Sequence, residues 1–160
     1  MRVMADIGPS LLTAFDFVWD RFTTRISGLT DEEYGWQPIG PVDADPVPTI
    51  EWRIAHISEA LVTFADRLFP DRDPGPPPPV PGDATAVPAF LDASYRRWRS
   101  GLADMSEEEL GTQLGPDWGP YATSTATDVA LHVFDEVVHH GAEVALLRDL
   151  YARRDGTRQT

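Results

Sequence analysis

Residues 131–151 read "LHVFDEVVHHGAEVALLRDLY". Val129, Val133, Val137, Val144 and Leu147 recur at steps of three, four and seven, which is the period of one buried helix face. The same run carries three of the chain's four histidines together with Asp135, Glu136 and Glu143. At about 100° per residue, His132, Glu136, His139, His140 and Glu143 fall within about a quarter turn of one another. A long helix with an ionisable strip beside its apolar stripe is therefore the feature to be explained.

The rest of the chain repeats the helical period. From Pro9 to about Ser27 the stripe is Leu11, Leu12, Phe15, Val18, Phe22 and Ile26, with Gly28 as its stop. A short acidic piece, "TDEEYGWQP", follows at residues 30–38. A second helix starts near Thr49, with Ile54, Ile57, Leu61, Phe64 and Leu68 on one face, and a third starts near Pro88 with Phe90, Leu91, Trp98 and Leu102. Ser106 with Glu109, and Thr125 with Asp128, stand at capping-box spacing and mark a short helix and the start of the last long one. Proline-rich segments at 37–48 and 70–83 cannot be helix interiors, because proline lacks the amide donor and clashes with the preceding turn. No stretch alternates at period two over a strand's length. These signals predict an all-α fold: an antiparallel four-helix bundle in one domain over 1–160, with a long proline-rich connector at 70–83 between the second and third helices and a flexible tail at 154–160.

Composition narrows the function. The formal charge is −13, from 26 acids and 13 bases, which repels phosphate backbones and anionic lipid surfaces and argues against nucleic-acid or membrane partners. Every base is arginine, and lysine and asparagine are absent, which points to a GC-rich bacterial genome. Without cysteine the chain has no thiolate nucleophile, disulfide or Cys-ligated metal of its own. The first residues lack a signal-peptide apolar segment and no apolar run approaches the ~20 residues of a membrane span, so a soluble cytoplasmic protein is expected.

Among catalytic motifs there is no G-x-S-x-G, P-loop or dinucleotide-binding glycine pattern. "DEVVHH" misses the zinc-protease pattern H-E-x-x-H, since position 135 is aspartate. "EVVH" is the Glu-x-x-His element of di-iron bundles, but no second copy exists. What remains is carboxylate and imidazole at four-residue spacing, in two registers: Glu136 with His140, and Asp135 with His139. Either pair puts two donors on adjacent turns, within reach of one divalent ion. His56, on an apolar face of the second helix one turn after Trp52, would complete a His-His-carboxylate set that leaves positions open for water or substrate. Against this stands the plainer reading, in which the histidines and acids form a hydrogen-bonded network bordering the core. Arg148 is expected to pair with an acid.

"TDEEYGWQP", "IEWRIAHISE" and "LHVFDEVVHHGAEVALLRDLY" occur in the order and spacing of the DinB-like superfamily, which the chain resembles over nearly its whole length. The resemblance implies a four-helix bundle in which one histidine of the second helix and two last-helix ligands four residues apart hold a divalent ion, zinc or nickel. In the branch similar to mycothiol-dependent maleylpyruvate isomerase, one last-helix ligand is a glutamate. Carried over, His56 is the second-helix ligand, and the last helix supplies Glu136 and His140 or, one residue earlier, Asp135 and His139. The first register lies nearer the centre of the apolar face. The implied activity is transfer or isomerisation with a low-molecular-weight thiol such as mycothiol or bacillithiol, the partners being that thiol and an electrophile, in a protein that can be a homodimer. A non-catalytic stress-related or ligand-binding bundle with a vacant site, and a metal-dependent hydrolase, are the other expectations.

Overall fold

The computed structural model describes residues 6–38, 47–72 and 75–154. Hydroxyl side chains start four of the six α-helices among them. Thr30 caps α2 (Asp31–Tyr34) and Thr49 caps α3 (Ile50–Leu68), each accepting a bond from a backbone amide three residues on. Ser106 and Glu109 close a reciprocal capping box on α5 (Glu107–Gly111), as Thr125 and Asp128 do on α6 (Ala126–Arg153).

The first helix, α1 (Ile7–Ile26), begins two residues before the Pro9 that sequence suggested, and the reason is a distant carboxylate. Glu107 of α5 accepts hydrogen bonds from the amides of Ile7 and Gly8 at 3.0 and 2.9 Å, satisfying donors that a helix start otherwise leaves unpaired. The helix ends at Ile26, and Gly28 turns the chain with φ +71°. After a 3-10 turn at Ala84–Ala86, α4 (Val87–Ala103) carries Pro88 in its first turn. A second 3-10 segment, Pro116–Tyr121, leads into α6 and had no periodic signal in the sequence. The described residues form no strand; Gln113 and Thr125 make an isolated antiparallel bridge.

Four long helices thus carry the structure. α3 packs against α4 and α6, and α1 packs against α6 and α4. The stripes read from the sequence meet in a shared apolar cluster that includes Phe15, Ile54, Ile57, Leu61, Leu91, Trp98, Val133 and Val137. Phe69, just past α3, lays its ring so closely over Gly101 of α4 that a Cβ there would lie 2.0 Å from it. Of the proline segments, 39–46 and 73–74 lie outside the described residues, as does 155–160 of the tail. Residues 75–83 are non-helical, and the Tyr34 hydroxyl donates to the Pro81 carbonyl at 3.1 Å while the Ala84 amide donates to Asp31 Oδ1 at 2.7 Å. Burial, with help from the nearby Glu51 and Asp83 carboxylates, pushes the Tyr34 phenol up to about 12.

α1 and α4 are clipped together by a polar contact at Asp16. Arg99 binds both oxygens of Asp16, at 2.6 and 2.7 Å, and the Tyr95 hydroxyl donates to Asp16 Oδ1 at 2.8 Å while its ring stacks on Trp19. The Arg99 bonds, chiefly, hold the Asp16 carboxyl below the ordinary range, against the opposing effect of burial. A lowered folded-state pKa contributes stability that is complete above the unfolded aspartate value near 3.9 and is lost as pH falls through the folded value. Asp16→Asn should therefore flatten the acid limb of a plot of urea midpoint against pH; an unchanged acid limb would show that this clip does not contribute.

Candidate metal centre

α3 and α6 bring His56, Glu136 and His140 together. Their donor atoms all lie within 4.8 Å of one another, although 84 residues (140 − 56) separate the two histidines. The geometry centres on one oxygen: Glu136 Oε2 lies 3.3 Å from His56 Nε2 and 3.4 Å from His140 Nε2. The four-residue step from Glu136 to His140 puts both on the side of α6 facing α3, and Val133, Val137 and Val144, all fully buried or nearly so, anchor that side to the core.

The other oxygen, Glu136 Oε1, lies 3.6 Å from His132 Nε2, one turn towards the start of α6. The His132 ring packs in a triangle with Phe64 and Tyr121, at centroid distances of 5.4 and 5.6 Å from them, while those two rings lie 5.6 Å apart. Trp52 stacks flat on His56, 5.0 Å between centroids with planes 11° apart, and meets the His140 ring nearly at right angles, 5.8 Å between centroids. Trp52 is 48% exposed, so one wall of the site is an aromatic surface open to solvent.

Behind His140 stands Glu143, whose Oε2 is 2.7 Å from His140 Nδ1. The same oxygen accepts a hydrogen bond from Arg53 Nε at 2.7 Å. Arg53, its side chain only 8% exposed, also donates to the Pro48 carbonyl. Burial is the largest single influence on Glu143 and pushes its carboxyl up, but the bonds from Arg53 and His140 together outweigh it and hold the pKa below the ordinary value.

The alternative register does not assemble in the same way. Asp135 is exposed and joins no group of potential ligands among the described residues, while His139, 60% exposed, approaches Glu143 Oε1 at 3.5 Å and belongs to a second group with His140 and Glu143. Arg53 and Tyr121 were not singled out from the sequence, and Phe64 was read only as part of the apolar stripe of α3. For Arg53 a signal existed: it is a cation in a run otherwise apolar on that side, Ile50, Ile54 and Ile57, and it lies one turn before His56. For Tyr121, in the irregular 3-10 segment, there was none.

The donor chemistry fits a divalent cation. Two imidazole nitrogens and a carboxylate oxygen form a set that borderline ions accept, and three protein ligands leave room for a further one. Bonds of about 2.1 Å to a tetrahedral ion place neighbouring donors about 3.4 Å apart, and the two nitrogen–oxygen separations here are 3.3 and 3.4 Å.

Comparison with known proteins bears on the same residues. The family model described as the DinB superfamily matches residues 14–144, a span that contains α3 and all of the α6 donors. Among solved structures the chain is similar to a conserved protein from Enterococcus faecalis, with a TM-score of 0.68 and 16% identity, covering 92% of this chain and 98% of that one; at that identity the likeness concerns the fold. No curated protein matches the sequence.

Proposed function

This chain belongs to the DinB superfamily, and from that premise we propose that it is a divalent-metal-dependent transferase or isomerase working with a low-molecular-weight thiol such as mycothiol. The observation that carries the reading is the convergence of His56, Glu136 and His140 from two facing helices on one carboxylate oxygen. The cyclic packing of α1 on α6, α6 on α3, α3 on α4 and α4 on α1 supports an antiparallel four-helix bundle as the frame.

In this reading His56, Glu136 and His140 hold zinc or nickel, ions that imidazole suits. When bound, such a cation lowers the pKa of a ligated thiol, so that thiolate is present near neutral pH. The chain has no cysteine, so the reactive sulfur arrives with the co-substrate. Trp52, stacked on His56, and the rings of Phe64 and Tyr121, packed with His132, give the donor set aromatic neighbours against which a co-substrate would lie. The partners are the thiol and its electrophile.

Elemental analysis of protein purified without a histidine tag tests the proposal. About one zinc or nickel per chain is expected in the native protein, and His56→Ala should lose it, since two remaining donors hold such ions poorly. Thiol transfer with mycothiol should then vanish on chelation and return on metal addition. If the native protein carries no metal, and zinc, nickel and manganese leave its melting temperature unchanged, the histidines and acids form a structural network and the proposal fails.

A further inference from the structure

Two groups of potential ligands share His140: the set with His56 and Glu136, and a second made by His139, His140 and Glu143. The second is a poor cation site. Its Glu143 Oε2 already accepts from a buried guanidinium and stands 2.7 Å from His140 Nδ1, so Arg53 supplies the positive charge that an ion would otherwise bring. His139 is mostly solvated.

The shared ring suggests a different role. An imidazole can bind an ion through one nitrogen only if that nitrogen is bare, and the proton on the other must be placed by an acceptor. His140 has such an acceptor at its back: Nδ1 meets Glu143, while Nε2 faces Glu136 Oε2 and the ring of His56. Glu143 is itself fixed by Arg53, whose second donor is tied to the Pro48 carbonyl just before α3. The chain Pro48–Arg53–Glu143–His140 runs from α3's entry to the donor set and crosses the α3–α6 interface once.

We propose that Glu143 is a positioning residue, which, braced by Arg53, keeps the proton of His140 on Nδ1 and turns a bare Nε2 towards His56 and Glu136. The inference deepens the metal-site reading, on which it rests for its purpose but not for its geometry. It explains why an arginine is buried in α3 one turn before His56. The three acids of α6 nearest the histidines then have different roles, since Glu136 faces the donors, Glu143 orients one of them, and Asp135 is solvated.

Long-range proton–nitrogen NMR of the metal-free protein, recorded above the ordinary histidine range, reads the tautomer directly, and competition with a chromogenic chelator reads zinc affinity. Native His140 should show protonated Nδ1 and bare Nε2. Glu143→Gln, close in shape but able to offer a donor as well as an acceptor, should mix the tautomers and weaken zinc binding about 10–100-fold. A second variant, Arg53→Met with Glu143→Leu, removes the buried cation with its partner, leaves no unpaired charge to unfold the protein, and should give the same two changes. Any other protonation pattern in native His140, or an unchanged tautomer in both variants, overturns the inference. Equal zinc affinity in native protein and variants also overturns it while leaving the metal site standing; the expected tautomers in a native protein that takes up no zinc would sustain the positioning and sink the proposed function instead.

Discussion

Arg148→Met is expected to lower the free energy of unfolding by about 3–5 kcal/mol, the range found when one partner of a buried ion pair is removed. Arg148 of α6 grips both oxygens of Glu33 in α2, at 2.7 and 3.1 Å, and its remaining nitrogen donates to the carbonyls of Arg25 and Ser27 at 2.6 and 2.9 Å. Glu33 is 5% exposed, so the substitution strands a carboxylate away from water and frees two carbonyls at the end of α1. Against a typical total of about 5–15 kcal/mol the loss is large. Urea denaturation measures it, and Glu33→Gln combined with Arg148→Met supplies the control. The double variant should recover a substantial part of the loss, because the stranded charge and not the missing contact dominates. A double variant as unstable as Arg148→Met alone would mean that the carbonyl bonds carry the effect.

Trp98→Ala should cost a similar amount, about 3–5 kcal/mol, for a different reason. Trp98 is fully buried between the rings of Phe15 and Phe69, each 5.7 Å away between centroids. Its indole Nε1 has no hydrogen-bond partner among the described residues. Truncation to alanine opens the largest cavity that any one of the fully buried side chains can leave. Trp98→Phe gives up less volume and also discards a buried donor whose burial costs about 1–3 kcal/mol when it is unpaired. Its net loss should therefore be well under half that of the alanine variant. Comparable losses in the two variants, read from denaturant midpoints, would show that the indole nitrogen is satisfied and that shape alone decides.

How these elements were legible differs from one to the next. The stripes of α1, α3, α4 and α6 could be read because burial of one face imposes a local period, and the caps at Ser106 and Thr125 because a hydroxyl three residues ahead of an acid is a local signal. The true start of α1 could not, since it depends on Glu107, about a hundred residues away. The same limit applied to the candidate centre. Helical spacing allowed Glu136 with His140 and Asp135 with His139 alike, and the apolar stripe gave the first pair only a slight preference; the packing of α6 on α3 separates the half-buried pair from the solvated one. An acidic partner for Arg148 was expected from its charge, but nothing local to either residue named Glu33.

The distribution of donors along the chain has a consequence for how the protein is made. His56 lies in the first half, whereas Glu136 and His140 lie on α6, which leaves the ribosome after α1, α3 and α4. At about 5–20 residues per second, the interval between His56 and His140 lasts roughly 4–17 s. Throughout it a nascent chain offers one isolated imidazole, too weak a ligand to compete for an ion. A metal held by all three donors would then be loaded only once α6 has docked on α3.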